Sequence, residues 1–214
     1  MKYPRTPHLP WSMGGTADDI RLVDLSVFDG KHVIVTEKLD GECTTIGQSY
    51  THARSIDGKS HPSRAWLKNW VSEWNYRLED NERCCGEYLF AKHSIHYSKL
   101  PSYFLGFSWF IDVNDDTICC DWRTCCNKFK THGIEPVPVL YDGIWDEDAV
   151  KACWTGKSLF GGEQEGYVVR IRDAFPILEF GISVAKYVRP EHVQTDKHWR
   201  NAEITKNELF KKGE

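Results

Sequence analysis

The chain has 214 residues, with 27 Lys and Arg against 31 Asp and Glu, a formal net charge of -4 and a pI near 6.1, so it lacks the global basic field of a non-specific nucleic-acid binder. Any polyanion site must therefore be local. A charged fraction of 27% and a mean hydropathy of -0.51 exclude a membrane-embedded reading, and the first residues hold no apolar run of signal-peptide type, which predicts a cytoplasmic protein with reduced thiols.

Taken in chain order, the proline-rich stretch through Gly15 reads as an extended arm anchored by Tyr3, Leu9 and Trp11, and Thr16 is placed to cap a helical turn through Ile20, with Asp18 and Asp19 in it. The β-branched run Val33-Ile34-Val35-Thr36 and the stretch Cys43-Thr44-Thr45-Ile46 predict two short strands on either side of Glu37-Lys38-Leu39-Asp40-Gly41-Glu42. Asp57-Gly58 is a turn signal. From Ser63 to Leu78, the residues Trp66, Leu67, Trp70, Val71, Trp74 and Leu78 recur at helical spacing and predict an amphipathic helix with a core-facing tryptophan stripe. Cys84 to Phe90 and Tyr103 to Ile111 read as aromatic-rich strands, with a turn at Asn114-Asp115-Asp116.

Asp121 is predicted to cap a helix to His132, stopped by Gly133, and Asp146 to Thr155 forms a second, ended by Gly156. Between them Pro136 to Tyr141 is extended, and its prolines demote it to a sheet edge. Gly166 to Ile171 and Ile182 to Tyr187 complete the strands. Strands mixed with helices in no regular alternation indicate an α+β domain with mainly antiparallel sheets. The adjacent cysteine pairs at 84–85, 119–120 and 125–126 lack the spacing of zinc ligands and read as small buried side chains.

A lysine at the end of a buried-looking strand, followed by an Asp-Gly that lets the backbone turn close to a ligand, suits a nucleophile. By itself Lys38-Leu39-Asp40-Gly41 is also what an ordinary hairpin turn with an exposed lysine would look like. Four more motifs follow it in order: Gly86-Glu87-Tyr88-Leu89-Phe90, Leu105-Gly106-Phe107, Glu165-Gly166-Tyr167-Val168-Val169 and Val184-Ala185-Lys186-Tyr187.

Over residues 33 to 189 this order resembles the covalent nucleotidyltransferase superfamily and, within it, the ATP-dependent RNA ligases. The resemblance implies an ATP-grasp-like ligase adenylation fold, with a nucleotidyltransferase domain over 1–189 and a short helical extension over 190–214. That extension is too short for a C-terminal OB barrel. Lys38 would attack the α-phosphate of ATP and become lysyl-AMP, which requires the pocket to favour a neutral amine over the ordinary lysine pKa of about 10.4. Lys186 would stabilise charge on that phosphate.

Glu37, Asp40 and Gly41 belong to the nucleotide-binding first motif, and Glu87 would accept a hydrogen bond from the ribose. Phe107 would stack on adenine, with Trp109, two residues on and read as sharing its face, as the substitute. Arg54 would contact the ribose or the donated RNA end, and Arg189 would replace the charge missing where relatives carry Lys-x-Lys. Glu165 would hold Mg²⁺ or Mn²⁺. The implied partners are RNA 5′-phosphate and 3′-hydroxyl ends, with end recognition from the domain surface or an accessory subunit, in reactions of RNA repair. Two alternatives stay open: DNA ligation or guanylyl transfer, and a nucleotide-binding or end-binding module without turnover.

Overall fold

The computed structural model describes residues 2–15, 19–54, 61–190 and 204–211. The expected cap at Thr16, the Asp57-Gly58 turn and the tail residues 191–203 lie outside them.

Two sheets, mainly antiparallel, pack face to face with helices on the outside. Strand β1 (His32–Lys38) runs into β2 (Glu42–Gly47) through the Leu39-to-Gly41 turn, and β3 (Thr51–Ala53) returns as a hairpin, after which Arg54 N–H donates to the Cys43 carbonyl at 2.9 Å. Helix α1 (Ala65–Ser72) precedes β4 (Glu82–Tyr88), β5 (Phe104–Val113) and β6 (Asp116–Cys119). Helix α2 (Trp122–His132), β7 (Glu135–Pro136), β8 (Val139–Ile144) and α3 (Glu147–Ala152) come next. The last elements are β9 (Gly166–Ile171), β10 (Phe175–Pro176), the short turn α4 (Phe180–Ser183) and β11 (Val184–Val188). The first sheet has the order β11-β9-β1-β8, and the second β10-β6-β5-β4-β2-β3 with β7 added in parallel to β5.

Local signals explain most of these boundaries. The Asp121 carboxylate accepts from Thr124 N–H at 2.9 Å at the start of α2, and Gly133, at φ 66°, takes the left-handed C-terminal position that favours glycine. The tryptophan stripe packs as expected: Trp66 stacks on Trp70 at 5.5 Å and Trp74 meets Trp70 edge-on at 5.3 Å, while Leu67, Val71 and Leu78 are buried. The helix is shorter than predicted, because 3-10 turns at Pro62–Arg64 and Asn75–Arg77 replace its ends. α3 likewise stops at Ala152, three residues early. The proline-containing stretch divides: β7 pairs with β5 of one sheet and β8 with β1 at the edge of the other, so the chain crosses between sheets at Val137 and Pro138. β11 begins at Val184 because Ile182 and Ser183 close the α4 turn.

Burial alternates across the first sheet. Val33, Val35, Tyr167, Val169, Ala185 and Tyr187 face one core with Leu9, Phe28 and Val150, while Val168 and Val184 face Cys85, Phe110 and Cys119 of the second sheet. Residues 34, 36 and 38 of β1 and 186 of β11 therefore point into the space between the sheets. Residues 204–211 do not form part of a helical extension but run extended against 89–100, where Asn207 Oδ1 accepts from Tyr97 N–H at 2.9 Å and its Nδ2 donates to the Leu89 carbonyl at 2.8 Å. All eight cysteines are free, with Cys84, Cys85, Cys119, Cys120, Cys125 and Cys153 buried. No helix among the described residues is long and apolar enough to cross a membrane.

The pairing of β9 with β11 leaves no room at Gly166, where an added Cβ would stand 1.9 Å from the Tyr187 carbonyl oxygen. Gly166→Ala should cost about 3 kcal/mol of stability by overpacking, read from urea unfolding. A wild-type midpoint would mean that the two strands part there without cost.

Candidate active site

Lys38 is the last residue of β1, and the chain then has to turn within three residues to start β2. Asp40 makes that turn rigid. Its Oδ2 accepts from Ser94 N–H at 2.7 Å, Ser94 Oγ at 2.6 Å and Ile95 N–H at 2.8 Å, and its own N–H donates to Tyr97 Oη at 2.8 Å. One oxygen of the Asp40 carboxylate thus holds the start of the 94–97 loop. Gly41 is needed for clearance, since a Cβ there would lie 2.6 Å from the Tyr88 carbonyl oxygen, and its N–H donates to Glu87 Oε1 at 3.1 Å.

With the turn fixed, the Lys38 ammonium meets the buried Glu165 carboxylate at 2.6 Å. The two are brought together by register: Lys38 pairs with Gly166 across β1 and β9, one residue from Glu165. On β11, Lys186 pairs with Val168, which pairs with Thr36, so Lys186 shares the inter-sheet face with Lys38. Glu87 reaches the same space from the second sheet, through β4.

The charges are unequal. Burial pulls the Lys38 amine down, yet the Glu165 and Glu87 carboxylates more than offset it and hold the amine above the ordinary lysine range. The expected pocket favouring a neutral amine is therefore not what these side chains alone supply. Lys186 is different: burial, and then the nearby Lys38 charge, push it down to about 8. Burial pushes Glu87 up to about 8 against the pull of Lys38.

One sequence expectation, the shared face of Phe107 and Trp109, is corrected by the strand geometry. Cys85 pairs with Ser108 and Gly86 with Gly106, so Phe107 is the extra residue of a bulge in β5. The bulge breaks alternation: Phe107 points between the sheets onto Tyr3, while Trp109 is fully buried on the helix side, stacked on His132 at 5.4 Å and edge-on to Phe129 at 6.1 Å. Trp109 does not share the face of Phe107 and is a core residue. Glu37 lies on the other face of β1 from Lys38, and its Oε2 accepts from Leu159 N–H at 3.2 Å, so its side chain holds the 158–159 loop. Arg189 follows β11, where its N–H donates to the Glu165 carbonyl at 2.9 Å and its guanidinium is paired with the exposed Glu163 at 2.5 Å. Arg54 is exposed beside Cys43 at the end of the β2–β3 hairpin.

Sequence reasoning missed His8. The arm runs parallel to β11, with Leu9 N–H donating to the Lys186 carbonyl at 2.8 Å and Lys186 N–H to the Pro7 carbonyl at 2.9 Å, which sets the buried His8 next to Lys186 on the inter-sheet face. Val188 N–H donates to Ser12 Oγ at 3.0 Å, and Ser12 Oγ lies 2.7 Å from His8 Nδ1. Burial, with Lys186 close by, pushes this imidazole down to about 4. No local pattern marks its place beside Lys186, because that neighbour comes from the opposite end of the chain.

The family model described as RNA ligase matches residues 31–188. No curated protein matches the chain in sequence. Among solved structures, a Naegleria gruberi RNA ligase with PPi is 19% identical at a TM-score of 0.57, over 85% of this chain and 61% of that one. A lysine-to-alanine mutant of the Naegleria gruberi enzyme with ATP and Mn is 17% identical at a TM-score of 0.53, over 77% and 51%. An archaeal ATP-dependent RNA ligase is 15% identical at a TM-score of 0.54, over 87% and 48%. At these identities the likeness is one of fold, and the chain spans about half the length of the ligases it matches.

The unequal lysines can be read directly. In ¹³C-methylated protein followed by NMR, Lys186 should be charged below and neutral above a midpoint near pH 8, while Lys38 stays charged into the alkaline range. Glu165→Gln should lower the Lys38 midpoint, because burial remains and the nearest carboxylate charge is gone. An unmoved Lys38 midpoint would show that Glu165 does not set it.

Proposed function

The chain belongs to the RNA ligase family, and on that premise we propose that it seals RNA 5′-phosphate and 3′-hydroxyl ends through a covalent lysyl-AMP intermediate. The observation that carries this reading is the Lys38 amine, partly buried at a strand end against the buried Glu165 and sharing the inter-sheet face with Lys186.

Lys38 Nζ, once deprotonated, forms a P–N bond to the α-phosphorus of ATP as the bond to the pyrophosphate oxygen breaks. A 5′-phosphate oxygen of RNA then displaces the lysine to give an RNA-adenylate, and the 3′-hydroxyl displaces AMP to form the phosphodiester. Splitting the transfer in this way replaces one difficult step with easier ones. Lys186, on the same face with β9 between, would offset charge on the α-phosphate. Glu87 offers an oxygen to the ribose from the second sheet, and Phe107 a ring to the base. Arg54, at the hairpin end, is available to the ribose or the RNA end. Asp40, Gly41 and Glu37 support the site by shaping the turn and the loops around it.

ATP and a divalent ion are the proposed co-reactants, a reading supported by the Naegleria structures with ATP and Mn. Among the described residues no three His, Cys, Asp or Glu side chains cluster as a metal cage, and the donor present is the hard carboxylate oxygen of Glu165. That set fits Mg²⁺ or Mn²⁺, which commonly binds one or two carboxylates together with substrate phosphates and water. A divalent ion bound there would screen the carboxylate charge that now holds Lys38 protonated.

Incubation with α-labelled ATP or GTP and Mg²⁺ tests the proposal. Wild-type protein should take covalent label from ATP, Lys38→Ala should take none, and Glu165→Ala should lose metal-dependent labelling while remaining folded. Labelling from GTP instead would favour guanylyl transfer, and binding without label would favour the non-catalytic module. Transfer of the label to a 5′-phosphorylated RNA, and not to the matching DNA, would separate RNA from DNA sealing.

A further inference from the structure

The amino-terminal arm ends in an aromatic ring that no step above uses. Tyr3 lies edge-on to Phe107 at 5.0 Å and 69°, to Phe180 at 5.2 Å and 86°, and to Phe110 at 6.0 Å and 73°. Phe107 and Phe110 belong to the second sheet, whereas Phe180 precedes β11 of the first, so the ring bridges the two sheets at one end of the space between them. Ser108, the residue after the bulge, hydrogen-bonds the Tyr3 hydroxyl, which lies among Cys119, Cys43 and Cys85. The same Cys43 lies close to Glu87 and Lys38, so Tyr3 and the nucleophile are neighbours of one side chain.

We infer that Tyr3 is the end wall of the nucleobase pocket and decides how large a base the site accepts. The inference rests on the proposed adenylation by ATP. Phe107 and Val168 lean on one apolar cluster from opposite sheets, and Val168 is the cross-strand neighbour of both Lys186 and Thr36. A nucleotide whose α-phosphate lies at Lys38 and Lys186 therefore directs its base toward Phe107 and Val168, and Tyr3 closes the gap behind them. Phe110 and Phe180 are fully packed, but Tyr3 and Phe107 each keep part of their surface uncovered, as residues lining a ligand space do. The arm is tied down independently of the ring, by the bonds of Leu9 to Lys186 and of Gly14 to Val188 at 2.8 Å and by the Ser12 link to His8. Removing the ring thus opens the pocket without releasing the arm. Selection by such a wall is steric: an enlarged base is rejected because nothing in its path can yield.

The test is single-turnover adenylation of the full chain with ATP and with two enlarged analogues, N6-benzyl-ATP and 2-methylthio-ATP. Wild type and Tyr3→Phe should use ATP and discriminate against both analogues. Tyr3→Ala should raise the analogue-to-ATP ratio of kcat/KM by about tenfold or more for at least one of them. Should Tyr3→Ala fail to give a wild-type circular dichroism spectrum, Tyr3→Leu, which keeps most of the apolar volume but shortens the wall, carries the same comparison. A labelled wild type with an unchanged ratio in the folded variant overturns this inference alone. A wild type that takes no label from ATP overturns the ligase reading and this inference with it.

Discussion

The site hangs on the Asp40 carboxylate, two residues after Lys38. Asp40 gathers two backbone N–H groups and a hydroxyl with a single oxygen, and its own N–H reaches the Tyr97 hydroxyl. Hydrogen bonds to a charged acceptor are stronger than neutral ones, and the one from Ile95 also satisfies a donor that would otherwise be buried without a partner. Tyr97 passes the constraint on through its N–H to Asn207, which also holds the Leu89 carbonyl. The turn after Lys38, the 94–97 loop and the 204–211 segment are therefore one hydrogen-bonded unit. Because that unit sets the end of β1, it also sets where the Lys38 amine can go.

Around that fixed point the electrostatics are uneven. Lys38 and Lys186 share a face, yet of the two only Lys38 is in an ion pair among the described residues, and the burial common to both pulls each toward neutrality. A partly buried pair such as Lys38 and Glu165 contributes little net stability, because desolvation offsets most of the attraction. Its consequence is chemical: the Lys38 amine is held in its protonated form as long as Glu165 faces it. Lys186, without such an ion pair, has its midpoint pushed down to about 8.

The space between the sheets is closed by segments remote in sequence. The arm through Gly15 extends the first sheet beyond β11 and brings His8 beside Lys186 and Tyr3 beside Phe107. The buried Arg170 guanidinium donates to the Cys120 carbonyl at 2.6 Å and lies over the Phe175 ring at 5.4 Å, so the apolar end is braced by a cation held by a carbonyl and aromatic faces. The cysteines around it are buried, and burial raises the Cys119 and Cys125 thiols, which makes them packing groups.

What the sequence determined by itself was local or ordered along the chain. The β-branched run into Lys38, the Asp121 cap, the Gly133 stop and the tryptophan spacing each act within a few residues, where sterics and hydrogen bonding decide the outcome. The five ordered motifs pointed to the family that residues 31–188 match. Only tertiary structure decided which side chains face one another. One extra residue in β5 turned Trp109 into the core and left Phe107 between the sheets, because a bulge resets the two-residue alternation that a sequence reading assumes. Asp40 and Glu37 became supports for loops 94–97 and 158–159, and His8 became a neighbour of Lys186, through pairings between distant segments that no local periodicity encodes. The charge state of Lys38 belongs to the same class, since it depends on a carboxylate that register, and not sequence proximity, brings to 2.6 Å.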